Sequence, residues 1–402
     1  MNLSPQLAAI AAGLTLAGAA LAQSTERPWY VGAMLDVTRE SNVLGTRPGT
    51  EISDTLYTAT VRGGLNQPFG RQRVYADASV NQQRFDTVSG RDHKGYDLSA
   101  GFDWSTVERL SGNFTVHANQ QLTDFIVDGI VPSSIANLEQ SEDFNARVRL
   151  GVVTALGFDA SVGTRRVSFS DPNFASREYK ENTASLGLSY RPSGILTLGA
   201  GISAARTDYQ AAAVGQTEPD RNDRQDVYLT ADWVPTGAST VNARISITKI
   251  EYEQATATDF DGITGSLSWA WKPTGLLNLT TTLSRDTGQD TGFLRLADGS
   301  TVTGTDFSRV TNALEVRAGY DLTGKISMTG AVSYANRDLV DAVTAATGQE
   351  KITTLSLGAR WAATLTISAG CNISRESSTA TGIGTPESTN NRFGCFGQVT
   401  FD

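Results

Sequence analysis

Histidine is nearly absent from this 402-residue chain, which has only His93 and His117. A histidine-based metal site or a Ser-His-Asp triad would need partners that the sequence does not supply. Carboxylates are common, but no pair stands out as an acid–base couple. The sequence therefore points away from an enzyme and calls for no cofactor. There are only two cysteines, Cys371 and Cys395, so a disulfide-dense scaffold is excluded. Beyond the N-terminus, no apolar run reaches the roughly 18 residues of a membrane helix. A cationic excess is also missing. The net charge is −9, which argues against a nucleic-acid partner. Helical periodicity is scarce, and the best short helix candidate is Ser134–Gln140.

The chain opens with an apolar, small-residue stretch from Leu7 to Leu21. Ala20-Leu21-Ala22 then fits a signal-peptidase site. We expect residues 1–22 to be a secretory signal, although Met1–Gln6 lacks the usual Lys or Arg. The alternative is a short N-terminal core helix. No cysteine follows the cleavage site, which argues against a lipoprotein.

Residues 23–402 alternate apolar and polar in segment after segment, the period of a half-buried strand. Leu277, Leu279, Thr281 and Leu283 alternate with Asn278, Thr280, Thr282 and Ser284. Leu196, Leu198, Ala200 and Ile202 repeat the pattern, as do Leu365, Ile367 and Ala369. Related turns recur: Tyr190-Arg191-Pro192-Ser193-Gly194, Trp233-Val234-Pro235-Thr236-Gly237, Trp271-Lys272-Pro273-Thr274-Gly275 and Tyr320-Asp321-Leu322-Thr323-Gly324. In such turns Pro presets φ and Gly accepts positive φ. Longer polar connections lie between them, including Gly288–Thr305, Gln210–Asp223 and Ser377–Asn391. Short turns at one end and long loops at the other match a transmembrane antiparallel up-and-down β-barrel. The segments number about 18, enough for an aqueous channel. We therefore expect an all-β fold, a single barrel over 23–402 in the outer membrane of a Gram-negative bacterium, facing outer-membrane lipid. A β-solenoid or a chain of sandwiches is the soluble alternative.

Strand parity assigns the faces. Trp104, Tyr190, Trp233, Trp271, Tyr320 and Trp361 share the apolar parity just before the short turns, as an interfacial aromatic belt would. The polar parity carries Arg62, Arg73, Arg147, Arg149, Arg165, Arg191, Arg244, Lys272, Arg317 and Arg360. It also carries Asp77, Asp97, Asp103, Asp159, Asp226, Asp232, Glu315 and Asp321. These are the candidate pore-lining groups. The mixed signs suit a hydrated, neutral or weakly charged solute better than strict anion selection. They also suit cross-strand pairs that only stiffen the wall.

Phe125–Leu138 carries Ile126, Val127, Ile130, Val131, Ile135 and Leu138 in a loop of the long set. Apolar residues on an exposed loop need somewhere to pack, so this segment is a candidate constriction. Cys371 and Cys395 are a candidate disulfide. If Thr364 opens the penultimate strand opposite Asp402, seven steps along each strand bring the two cysteines face to face. They share parity with Ile367 and Phe401, on the lipid side. Two free, buried thiols are the alternative.

Trp29-Tyr30-Val31-Gly32, Arg39-Glu40-Ser41-Asn42-Val43, the Tyr/Trp-x-Pro-Ser/Thr-Gly hairpins and the closing Gly370-Cys371 and Gly394-Cys395 pair extend over the whole mature chain. Together they resemble the EpsL-type barrels of exopolysaccharide operons, including the exosortase-associated set and the WzpX-type polysaccharide porins. The resemblance implies a barrel of about 18 strands through which an exopolysaccharide leaves the cell. It also implies a periplasmic polysaccharide co-export protein as partner and an inner-membrane flippase–polymerase system. The usual barrel ends on an aromatic residue, whereas here Phe401 is followed by Asp402. A general or substrate-specific diffusion porin and a non-transport adhesion or scaffold barrel remain as alternatives.

Overall fold

The computed structural model describes residues 28–402, apart from 108, 124–135, 152–154, 213–216, 255–257, 296–301, 342–344 and 384–386, with backbone alone at 173, 289–295 and 302–308. The expected signal peptide, residues 1–22, and most of the Phe125–Leu138 segment lie outside the described residues.

Alternation of apolar and polar residues gives the strands one wet and one apolar face, and such strands can cross a bilayer only in a sheet without exposed edges. The strands are β1 (Trp29–Glu40), β2 (Asp54–Phe69), β3 (Gln72–Phe85), β4 (His93–Ser105), β5 (Leu110–Leu122), β6 (Leu138–Leu150), β7 (Leu156–Phe169), β8 (Tyr179–Ser193) and β9 (Leu196–Tyr209). They continue as β10 (Arg221–Thr236), β11 (Ser239–Tyr252), β12 (Phe260–Trp271), β13 (Leu277–Arg295), β14 (Val302–Asp321), β15 (Ile326–Asp341), β16 (Thr347–Ala362), β17 (Ile367–Gly382) and β18 (Ser388–Phe401). Each pairs antiparallel with its sequence neighbours, and β1 pairs with β18, closing an 18-stranded barrel. The even count puts both ends of the barrel chain on the short-turn side.

The exposed large apolar residues define the outer face. Val31, Leu35 and Val37 of β1, Leu186 and Leu188 of β8 and Ile245 and Ile247 of β11 all belong to it. Their register partners keep the same parity around the ring, so one face is apolar throughout.

Three local expectations are corrected. Leu138–Gln140, part of the helix candidate, opens strand β6. The polar stretch Gly288–Thr305 is largely strand, because β13 runs to Arg295 and β14 starts at Val302. Likewise β17 extends to Gly382 and β18 starts at Ser388. Above the bilayer both faces are wet, so pairing persists after the alternation that advertises it has ended. The third concerns the turns. Gly194, Gly237, Gly275 and Gly324 do not adopt positive φ. The Thr hydroxyls organise the reversal in their place. Thr274 Oγ1 accepts from the amides of Leu276 and Leu277 at 3.3 and 3.1 Å. Thr323 accepts from Lys325 and Ile326 at 3.2 and 3.0 Å, and Thr364 from Thr366 and Ile367 at 3.2 and 2.9 Å. Pro192 and Pro235 sit at register shifts between Tyr190 and Ser193 and between Trp233 and Thr236. A bulge is where a strand tolerates a residue without an N–H.

Candidate pore lumen

The polar parity faces the interior. Arg62, Arg73, Asp77, Asp97, Asp103, Arg147, Arg149, Asp159, Arg165 and Arg191 all alternate with the exposed apolar residues of their strands. So do Asp226, Asp232, Arg244, Glu315, Arg317, Asp321 and Arg360. Lys272 lies one residue beyond the end of β12, in the turn.

Towards the short-turn side the wall is a mosaic of opposite charges. Arg147 meets Asp159 at 2.6 Å, with Arg149 in electrostatic reach of both. Arg317 meets Glu315 at 2.6 Å and Arg73 meets Asp103 at 3.7 Å. Arg62 donates to Gln398 and Thr400, each at 3.3 Å, and Arg360 to Ser368 at 3.2 Å. Asp77 accepts from the Tyr30 hydroxyl at 2.7 Å. His117 lies 3.7 Å from Asp97, on the same interior face. Most of these groups are wet, so each pair contributes little to stability. What they set is the local potential met by a passing solute.

A further interior cluster centres on Asp226, which strand parity had assigned to the lumen, and adds Arg224 and Asp286, which had not been singled out. Arg224 bridges Asp226 at 3.1 Å and Asp286 at 3.2 Å, linking β10 to β13 along the inner wall. Asp226 also accepts from Thr248 at 2.5 Å and Ser203 at 3.1 Å, and Thr248 bonds Thr264 at 2.7 Å. Thr248 is fully buried and Asp226 nearly so. On the neighbouring wall Arg165 lies 3.8 Å from Asp143. Arg224, Asp143 and Asp286 follow the same parity as the groups chosen from sequence. Arg224 and Asp286 are flanked by polar residues, Asp223 and Gln225 or Arg285 and Thr287, so no apolar neighbour marks their face in the sequence.

Three interior tyrosines lie flat on cross-strand glycines: Tyr30 on Gly64, Tyr75 on Gly101 and Tyr228 on Gly201. A Cβ at Gly201 would fall 2.5 Å from Tyr228 Oη, so only glycine admits the ring. Each ring has an arginine nearby: Arg62 at 6.0 Å, Arg73 at 4.8 Å and Arg244 at 3.9 Å from the respective centroids. Ring and guanidinium thus lie side by side along the wall.

The long-loop mouth is built differently. Its inward parity adds apolar residues, Leu56, Phe85, Val167, Ile250, Tyr252 and Leu339, among buried polar ones such as the Arg337–Glu350 pair at 3.0 Å. Val43 and Leu44 of the β1–β2 connection fold against Phe85 and Leu56, together with Ile52, Val88 and Leu122. Asn42 anchors that connection. Its Nδ2 donates to the carbonyl of Thr46 at 2.8 Å, and its backbone amide donates to Asn390 Oδ1 at 3.1 Å. Asp54 holds the adjoining loop by accepting from the amides of Thr87 and Val88 at 2.9 and 2.8 Å. The described residues therefore place the β1–β2 connection over the inner wall of the mouth. Residues 125–135 of the constriction candidate lie outside them; Ala136 and Asn137 are described and Leu138 begins β6.

On the outside, Trp104, Tyr190, Trp233, Trp271, Tyr320 and Trp361 occupy the apolar parity at the short-turn ends of their strands. Trp29 and Trp269 share that face, so all six tryptophans point outward. Trp269 stacks on Trp271 at 5.5 Å. Cys371 stands directly opposite Cys395 in the last hairpin, and the two are disulfide-bonded on the outer parity. Among the described residues no group of His, Cys, Asp or Glu is arranged to hold a metal ion.

A closed, even-stranded barrel with an apolar outer band and an aromatic girdle is an integral outer-membrane protein of a Gram-negative bacterium. No protein-family model and no curated protein matches the chain. Among solved structures, it is similar to Pseudomonas aeruginosa OpdK with vanillate, at 12% identity and a TM-score of 0.48, covering 93% of this chain and 99% of that one. It is also similar to P. aeruginosa OccK2 (OpdF) in complex with glucuronate, at 10% identity and 0.48, covering 94% and 99%. The FrpB iron transporter of Neisseria meningitidis follows at 14% and 0.44, covering 90% and 63%. Likeness at this level carries no argument about what crosses the barrel.

Proposed function

We propose that the protein is a passive diffusion pore for small hydrophilic solutes, without enzymatic activity. The observation that carries this reading is the β1–β2 connection packed onto the inner wall of the mouth through Val43 and Leu44. A loop held against the wall there narrows the opening of a barrel otherwise wide enough for a water channel. Behind it the wall presents alternating cations and carboxylates with tyrosine–arginine stacks. Such a surface hydrates neutral or weakly charged solutes and selects only mildly by sign. Liposome swelling with purified protein tests it. Monosaccharides and disaccharides should enter quickly and long dextrans should be refused. Absence of monosaccharide entry would overturn the reading.

The second reading is export of an exopolysaccharide beside a periplasmic co-export protein. It rests on the sequence resemblance and on the near balance of charge along the wall, which suits an uncharged polymer. A deletion strain separates the two. Loss of secreted polysaccharide with polymer accumulating in the periplasm favours export. Unchanged secretion with slower uptake of small solutes favours diffusion.

A further inference from the structure

A groove of 1050 Å³ crosses the wall from β17 over β18, β1, β2 and β3 to β4 and β5. On each of the first six strands it takes in two outward residues and the inward one between them, as with Ala33 and Leu35, Ala59 and Val61, or Gly397 and Val399. The groove is therefore on the lipid face, with the intervening residues contributing backbone. Small side chains at Ala33, Ala59, Ala369 and Gly397 make its floor. It spans six inter-strand steps of about 4.8 Å, roughly 29 Å in all. It runs along the hydrogen-bonding direction, so the tilt of the strands carries it obliquely up the wall. Its lower end, at Ile367, is near the short turns, and its upper end reaches Lys94, next to the first residue of β4.

That upper end meets an unusual rim. Arg39 and Arg84 stand one residue from the long-loop ends of β1 and β3, level with Lys94, and all three have outward parity. Lys351 and Arg375 continue the row on β16 and β17. On the outward parity of β16, β17, β18, β1, β2, β3 and β4 there is no carboxylate. None of the five cations forms an ion pair among the described residues. The opposite side of the rim is different: Arg206 pairs with Asp223 at 2.7 Å, Arg221 with Asp208 at 2.6 Å and Lys249 with Glu251 at 2.8 Å. Arg39 is also preset, donating to Thr55 Oγ1 at 3.0 Å and Ser53 Oγ at 2.9 Å.

We propose that this groove is a binding site for one phosphorylated, multiply acylated glycolipid of the outer leaflet, of the lipid A class. An acyl chain lies on the Ala33–Ala59–Ala369–Gly397 floor, and a phosphate sits among Arg39, Arg84 and Lys94. Uncompensated cations at the level of the headgroups attract anions, and guanidinium–phosphate bonds are among the stronger charge-assisted contacts. The small-residue floor supplies the shape that a merely electrostatic rim lacks. The groove and the lumen are separated by the wall, so the site is independent of what the pore conducts.

The test uses the full barrel extracted from outer membranes in mild detergent, with bound lipid A scored by native mass spectrometry. Wild type should carry one molecule per barrel, retained in excess inorganic phosphate. Arg39→Gln/Arg84→Gln/Lys94→Gln should reduce occupancy about tenfold or more, given the worth of hydrogen bonds to charged groups. Ala59→Trp, which fills the floor, should reduce it with every cation intact. Arg206→Gln/Lys249→Gln, on the paired side, should leave it unchanged. If the triple variant does not fold by heat-modifiable migration, Arg84→Gln alone is scored. Full occupancy in both the charge and the groove variants, equal loss in the paired-side control, or displacement by inorganic phosphate alone would each overturn the proposal.

Discussion

Arg285 donates from Nε to the backbone carbonyl of Ile263 at 3.0 Å and from Nη1 to Asn312 Oδ1 at 2.8 Å. This bond lies where the β12–β13 ladder ends, at the pair Gly265 and Arg285. Above it β12 stays paired to β11 as far as Phe260, and β13 continues with β14 to Arg295. The two hairpins therefore part along the long-loop half of this seam, and Arg285 satisfies a carbonyl that the ladder leaves open. Arg285→Ala should raise amide hydrogen exchange between Phe260 and Thr264 by about tenfold, the worth of one charged hydrogen bond. Unchanged exchange would mean that something else seals the seam.

Asp226 is a nearly buried carboxylate of the described interior, bound to Arg224, Thr248 and Ser203. Asp226→Ala leaves Arg224 with Asp286 alone and should cost about 3 kcal/mol in urea titrations, the scale for breaking a buried pair. Asp226→Asn keeps the shape and removes the charge. It should shift the reversal potential in a KCl gradient towards anions. An unshifted potential would take this cluster out of the conducting path.

Tyr228 and Gly201 set a steric limit on the wall. Gly201→Ala should destabilise the barrel by about 1–3 kcal/mol through overpacking against the ring and the Leu186 carbonyl. Gly201→Ala/Tyr228→Ala should recover much of that loss. Failure to recover would show that the backbone contact, not the ring, is limiting.

Deleting 43–52 removes Val43 and Leu44 from the mouth. Single-channel conductance in planar bilayers should rise, and so should the size of the largest sugar admitted. Unchanged conductance would place the constriction elsewhere, with the segment 127–138 as the next deletion to measure.

The Cys371–Cys395 bridge closes a loop of modest length, at a sequence separation of 24. Its removal by Cys371→Ser/Cys395→Ser should cost about 3.5 kcal/mol on the loop-entropy relation. Non-reduced protein should show no alkylatable thiol by mass spectrometry. Two reactive thiols in the native barrel would refute the bridge.

Much of the wall was legible because its code is local. Leu277, Leu279 and Leu283 on one parity and Asn278, Thr282 and Ser284 on the other state which face each residue takes, whatever the neighbours do. The pairing of Ile367 with Val399 follows from the same count of two, as does the pairing of the cysteines. Arg224 and Asp286 obey that parity too. They escaped notice because both their chain neighbours are polar, Asp223 and Gln225 around Arg224, Arg285 and Thr287 around Asp286.

The amino-acid sequence alone determined the number of strands, the end that carries the short turns and the face that meets lipid. Alternation and turn chemistry act over a few residues, and a barrel repeats them. Only the tertiary structure decided where Val43 and Leu44 pack, where the β12–β13 ladder stops and where Ala59, Ala369 and Gly397 meet in one groove. Those outcomes depend on ring closure, which sets β1 beside β18, and on the tilt that brings distant rows to one height. Neither closure nor tilt leaves a local period in the chain.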